Sequence, residues 1–350
     1  MRRMRTSATS ANLRPSCSSV LINSQAARPR STGATLLAGL LLAGSPALAA
    51  TVTPAAGTPA SAAAPAAVAK PAAPAATPAP AAAKPPTPEE EAKKRAVALK
   101  EFLEKDHATI EDALRASMAG PHRKEGRFWR DAYRHPLETL TFFGLKQDQT
   151  VLELSPGEGW YTELLAPVLQ KKGELRVQTG DPNSNYGRRF YNGMKAAPEV
   201  YAKVKTVVVA DPKVAIDLGP PESVDLVLTF RNLHNWYDSG TLESTLAATF
   251  KVLKKGGTFG VVEHRAKVGQ KPEDGKKSGY LPEAFVIAQI QKAGFKLVKK
   301  SEVNANKKDT KDYAEGVWTL PPNLALKEKD RERYMAIGES DRMTLRFVKP

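Results

Sequence analysis

The sequence predicts an α/β protein: a seven-stranded, mostly parallel sheet with helices on both faces and an antiparallel last strand. Three observations predict it. Seven short strand-like runs recur after residue 150, at 150–154, 175–179, 206–209, 224–230, 258–263, 295–301 and 343–348. Helix-like stretches led by 161–170, 187–195 and 241–253 lie between the first five, the alternation that a parallel sheet covered on both faces requires. The last two runs are joined by a long polar insertion, which suggests an antiparallel pair finishing the sheet. At 350 residues, 41% hydrophobic and 25% charged, the chain is neither collagen-like, disulfide-rich nor wholly disordered.

The N-terminus reads as an export signal, which implies a periplasmic or secreted protein. Residues 1–49 hold six arginines and no acid, and Arg28 and Arg30 precede the apolar run 34–43. Ala47-Leu48-Ala49 then supplies a cleavage pattern of small residues. About 30 residues before the apolar run are long for such a signal and point to a start further on, at Val20. The single cysteine, Cys17, falls in the segment to be removed, so the expected mature chain is free of thiols, as suits an oxidising compartment. No cysteine marks a lipid anchor, and no transmembrane domain is expected after cleavage. Of the net charge of +15, nine remain after residue 49, spread without a block of like charge, the balance of a soluble basic protein.

Residues 50–88 form an expected linker. Between 51 and 88 stand 17 Ala and 10 Pro, a composition that prevents helix, denies a sheet its donors and offers nothing to bury. Thr87-Pro88-Glu89-Glu90 is a helix start. The spacing of Leu99, Phe102, Leu103, Ile110, Ala113 and Leu114 predicts one amphipathic helix from there to about Ala119, stopped by Gly120-Pro121. His135-Pro136 opens a short helix ended by Gly144, so 89–145 reads as a helical extension and 146–350 as the main domain. A further helix is expected at 282–293, and the Lys-rich stretch 267–277 reads as a surface loop.

The segment Val151-Leu-Glu153-Leu-Ser155-Pro-Gly157-Glu-Gly159-Trp160-Tyr161-Thr162 carries the chemistry. An acid stands near the strand end, a small-residue loop follows, and a helix begins at once, where free N–H groups favour an anion. The pattern is E-x-S-x-G-x-G, distinct from the dinucleotide pattern G-x-G-x-x-G. It resembles the first motif of the class I S-adenosylmethionine-dependent methyltransferases, a Rossmann-like family. The stretch from about Asp131 to Pro350 resembles the "predicted methyltransferase" family of secreted bacterial proteins. Arg130-Asp131-Ala-Tyr-Arg134-His135-Pro136, Asp225-Leu-Val-Leu-Thr-Phe-Arg231-Asn232-Leu-His234-Asn-Trp236, Leu253-Lys-Lys-Gly256-Gly257 and Glu263-His264-Arg265 carry that second resemblance.

The resemblance implies S-adenosylmethionine as cofactor. It sets Glu153 beneath the methionine amino group and wraps Ser155, Gly157 and Gly159 around methionine and ribose. Ser155 replaces the usual first glycine, which suits an ordinary backbone angle. The acid expected to take the ribose hydroxyls would stand near Thr179, and the nearest one is Asp181. Asp211 would meet the adenine, or caps a loop before Pro212. Arg231 and Asn232 would border the transferred methyl group. His234, following the fourth strand, is the candidate catalytic base, its alternative a histidine packed on Trp236. His264 and Arg265 hold an acidic acceptor or pair with Glu263 or a loop carboxylate. Arg130, Asp131 and Tyr133 form a lid or a capping network. No metal is expected, because the five histidines show no paired ligand spacing.

The expected activity is methyl transfer to a small molecule or an envelope component. Export sets this against a donor made in the cytoplasm, so a binding module without catalysis on the same fold is the alternative. A nucleic-acid methyltransferase is the lesser one, since the N-P-P-[YF] signature is missing at 230–233.

Overall fold

The computed structural model describes residues 87–350. The expected signal segment, the linker up to residue 86 and Cys17 lie outside the described residues. No helix among those described is long and apolar enough to cross a membrane.

Helix α1 (Pro88–Glu104) opens on a capping box. Glu90 N donates to Thr87 Oγ1 at 3.3 Å, and Thr87 N donates back to Glu90 Oε2 at 2.8 Å. The single helix expected to reach residue 119 is two helices. Thr109 breaks it by accepting the Asp112 N–H at 3.1 Å, so that α2 (Ile110–Ala119) starts afresh. The break separates an α1 with no buried residue from an α2 whose Ala113, Leu114 and Ser117 are buried, and Ser117 Oγ donates to Leu164 O at 2.8 Å. Two short helices follow, α3 (Asp131–Arg134) and α4 (Pro136–Phe142), hinged by His135 at φ 40°.

From there strands and helices alternate: β1 (Thr150–Leu154), α5 (Trp160–Leu169), β2 (Glu174–Thr179), α6 (Asn185–Lys195), α7 (Pro198–Tyr201), β3 (Lys205–Val208), β4 (Val224–Phe230), α8 (Leu233–Ser239), α9 (Leu242–Val252) and β5 (Leu253–His264). Then come α10 (Gly275–Ser278), α11 (Glu283–Lys292), β6 (Lys296–Ser301), α12 (Arg331–Ile337) and β7 (Arg342–Val348). The Lys-rich stretch 267–277, expected as a loop, instead includes a 3-10 turn at Pro272–Asp274 and most of α10.

The seven strands form one sheet in the order β3-β2-β1-β4-β5-β7-β6. The first five run parallel, and β7 lies antiparallel between β5 and β6. Successive residues of the central strands feed opposite faces. Val151, Leu226, Leu228 and Val262 join the core beneath α2, α4 and α5, whereas Leu152, Leu154, Val227 and Val261 join the core beneath α8, α9 and α11. Burial on both faces is why these runs are continuously apolar.

The chain leaves β1 toward β2 on one side and crosses to β4 on the other. That reversal opens a crevice at the carboxyl ends of β1 and β4, where open α/β sheets hold ligands. The period of two sends Glu153 to the α5 face of this crevice and Glu263 to the α8 face.

Candidate functional site

Two cavities open at that end of the sheet. The first, about 380 Å³, is lined by Glu153, Ser155, Gly157, Phe230 and the arginines at 127, 130, 134 and 231. The loop after β1 floors it in an unusual conformation, with Ser155, Gly157 and Gly159 at φ 50°, 64° and 77°. Ser155 therefore does not take an ordinary backbone angle. It adopts the left-handed conformation of the glycine it replaces, a strain of roughly 1–2 kcal/mol. Gln178 offsets it: its Oε1 accepts Ser155 N–H at 3.2 Å and Ser155 Oγ at 3.1 Å. A Cβ at Gly157 would meet nothing within 4 Å, so the Cβ side of this residue faces open space.

Glu153 is 1% exposed, and its Oε2 accepts a 2.6 Å hydrogen bond from Thr162 Oγ1 on α5. Burial pushes its carboxyl up to about 7, against the smaller opposing effect of Thr162. Asn232 serves the loop from below: Nδ2 donates to Leu154 O at 3.0 Å, Ser155 O at 3.2 Å and Thr229 Oγ1 at 3.0 Å. Gly159 caps α5. The other wall is a stacked pair, Tyr161 on Phe230, with ring centroids 3.5 Å apart.

Asp181 and Asp211 stand outside the wall of this cavity. The Asp181 carboxylate accepts Asn183 N–H at 2.8 Å and that of Asp211 accepts Lys213 N–H at 2.9 Å, so each closes a local turn. Thr179, at the end of β2, is buried and bonds Tyr191 Oη at 3.0 Å.

Arginines dominate the entrance. Arg130 Nε and Arg134 Nε reach Glu339 at 2.8 Å and 3.1 Å, and Arg342 Nη1 reaches it at 3.0 Å. Burial works against the charge of Glu339, but Arg134, Arg342, Arg231 and Arg130 hold it well below the usual carboxylate range. Asp131 pairs with Arg123 at 2.9 Å, and Tyr133 O accepts from Arg342 at 2.6 Å. Residues 130–134 thus tie the N-terminal helices to the insertion before β7.

The second cavity, about 170 Å³, shares Arg231, Pro322 and Asn323 with the first and adds His234, His264, Trp318 and Ser340. His234 Nδ1 lies 2.9 Å from Glu263 Oε1. Glu263 is fully buried and also accepts Leu233 N–H at 2.7 Å and His264 N–H at 2.8 Å. A carboxylate accepts only, so Nδ1 of His234 carries the proton and Nε2 presents its lone pair. His234 packs near His264 and Trp318, with centroids at 5.2 Å and 6.0 Å. His264 Nδ1 meets Ser340 Oγ at 2.5 Å. Burial, with His234 and Arg231 adding to it, holds the His264 imidazole well below its usual value. Arg265 does not pair with Glu263; it reaches Glu283, Glu302 and Asp341 at 3.3, 2.5 and 3.2 Å.

His234, Glu263 and His264 each bring one potential ligand atom within 4.8 Å of the others, a grouping that sequence spacing does not show. The hydrogen bonds above already engage both Glu263 oxygens and both Nδ1 atoms, which leaves one imidazole Nε2 on each ring. Sequence reasoning also missed Gln178, Glu339 and Arg342 as parts of the site. The i, i+4 spacing of Arg130 and Arg134, and the run Glu339-Ser-Asp-Arg342 entering the last strand, were the available signals.

No family model and no curated protein matches this chain. Solved structures with a similar architecture include a SAM-dependent methyltransferase from Aquifex aeolicus, 16% identical over 63% of this chain and 93% of that one, with a TM-score of 0.43. The glycopeptide N-methyltransferase MtfA complexed with sinefungin is 16% identical over 64% and 96%, TM-score 0.41. The N-methyltransferase NodS from Bradyrhizobium japonicum WM9 is 15% identical over 65% and 98%, TM-score 0.41. The strand order of this chain, mostly parallel with a reversed β7 and with helices on both faces, is the Rossmann-like α/β arrangement that the sequence predicts.

Proposed function

We propose that the protein transfers a methyl group from S-adenosylmethionine to a small molecule or envelope component outside the cytoplasm. The observation that carries this reading is the pair of adjoining cavities, one floored by the Glu153–Gly159 loop and the other holding the His234–Glu263 pair, meeting at Arg231.

The residues of the first cavity fit the amino-acid end of that cofactor. Glu153 offers a carboxylate to an ammonium, the arginines offer partners to a carboxylate, and the missing Cβ of Gly157 leaves room on that side for close approach. Glu153, Ser155, Gly157 and Gly159 would hold it. The ribose side has no acid in the expected place, since Asp181 is turned into its own loop. When bound, the cofactor supplies a methyl group on a sulfonium, already activated toward a nucleophile.

The chain's own residues then position and deprotonate. His234 Nε2 takes a proton from an oxygen or nitrogen acceptor in the second cavity, and Glu263 fixes the ring and stabilises the imidazolium formed. Trp318 and Pro321–Pro322 wall this space.

Label from methyl-labelled S-adenosylmethionine, offered with a small-molecule extract of the cell envelope, tests the proposal. Transfer by the parent protein that falls about 100-fold or more in His234→Ala is the expected result. Equal transfer by both proteins would remove His234 as the base, and no label in any acceptor would favour a binding module on this fold.

A further inference from the structure

The arginines around Arg231 outnumber their carboxylates. Arg130, Arg134, Arg231 and Arg342 cluster about one carboxylate, Glu339, which is bonded to three of them. Arg231, half-buried and held at φ 63°, makes no side-chain hydrogen bond or ion pair with any described residue. Independently, Nη2 of Arg134 is buried without a hydrogen-bond partner, although Arg134 is 2% exposed and lines the first cavity. Removing guanidinium groups from water with too few counter-ions is costly. A fold that gathers this surplus at the mouth of two cavities is built for a negative charge that the protein does not itself provide.

We infer that the junction of the two cavities at Arg231 is an oxyanion site, which takes the carboxylate or phosphate of the molecule occupying the second cavity. The assignment of that molecule as methyl acceptor rests on the function proposed above; the anion site does not. Arg231 lines both cavities and ends the turn out of β4, three residues before His234, so an anion docked on it is anchored beside the imidazole. Asn323 and Ser340 add neutral polar groups to the same wall. Burial first, and then Arg134, lower Arg231 to about 9, while Glu339 acts the other way without offsetting them.

Titration of inorganic phosphate and, separately, succinate into the full-length protein tests this, with and without saturating S-adenosylhomocysteine. At least one anion should bind in both conditions, and Arg231→Gln should weaken it about 10- to 100-fold. Arg231→Lys should keep part of the affinity, since it keeps the charge and loses the fork. Arg231→Gln should also raise the melting temperature of the unliganded protein, because it relieves repulsion among the arginines; a merely structural arginine would lower it. Preference for phosphate or for succinate names the ligand's anionic group. Three results would overturn the inference: no binding of either anion, binding unchanged in Arg231→Gln, or complete displacement by S-adenosylhomocysteine. The last would assign Arg231 to the cofactor's own carboxylate. Failure of S-adenosylhomocysteine to bind, with the anion still lost in Arg231→Gln, would sink the methyl-transfer proposal and leave the anion site standing.

Discussion

Glu153 shows how burial converts a common residue into a titrating group. Among the described residues its carboxyl has one hydrogen-bond partner, Thr162, and no cation bonded to it, and burial raises it to about 7 from an ordinary 4.5. Between those values the folded protein holds a proton that the unfolded chain has released. Stability therefore falls as pH rises through this window and is level above it. The loss amounts to about 3 kcal/mol by pH 8. Glu153→Gln should remove it: its melting temperature, matched to the parent near pH 4.5, should exceed the parent's at pH 8. Ligand binding reverses the sign, because an ammonium placed beside Glu153 selects the ionised form, so cofactor affinity in the parent should weaken as pH drops below 7 and lose that dependence in Glu153→Gln. A melting-temperature difference that stays constant from pH 4.5 to 8 would show that Glu153 does not titrate there. Ser155 illustrates the same dependence on surroundings. A serine in the sequence gives no hint of φ 50°, which is set by Gln178 on the neighbouring strand.

The elements were legible where a pattern is local and repeated. β1 and β4 begin and end where their apolar runs do, and the helices α5, α9 and α11 fall within about two residues of expectation, because burial on both sheet faces writes itself into consecutive residues. What was not legible depends on distant partners. The apolar spacing from Leu99 to Leu114 suits one helix, and the Thr109 cap outweighs it. Asp181 and Asp211 stand close to where the resemblance places cofactor contacts, yet each finds a backbone N–H two residues on. Arg134 and Glu339 meet across 205 residues, which no window along the chain reveals. Close approach between α4 and β5 is similarly silent in the sequence. An added Cβ at Gly260 would stand 2.6 Å from the Phe143 ring, so Gly260→Val should destabilise by about 1–3 kcal/mol, read as a lower denaturation midpoint. Gly260→Val in a Phe143→Ala background should recover part of that loss. No recovery would mean that the contact does not limit the packing of α4 on the sheet.

The whole molecule places its chemistry where the two halves of a parallel sheet diverge. The α5 side supplies a preformed loop and a buried acid, the α8 side a carboxylate-oriented histidine, and the insertion before β7 the wall and the single carboxylate that gathers the arginines. The first of these parts was legible from its motif and His234 from its place after the fourth strand, whereas Glu339 and the wall it belongs to were not. Whether the first cavity binds S-adenosylmethionine, as proposed, is decided by titration calorimetry of S-adenosylhomocysteine into the protein, with Gly157→Arg alongside. Gly157 has open space before it and a left-handed φ of 64°, so the arginine should add modest strain and project into the cavity while the protein stays folded. Binding in the micromolar range that Gly157→Arg abolishes is the predicted result. A folded parent protein that takes up no S-adenosylhomocysteine at millimolar concentration, or a Gly157→Arg variant that binds it as well as the parent, would rule this cavity out as the cofactor site.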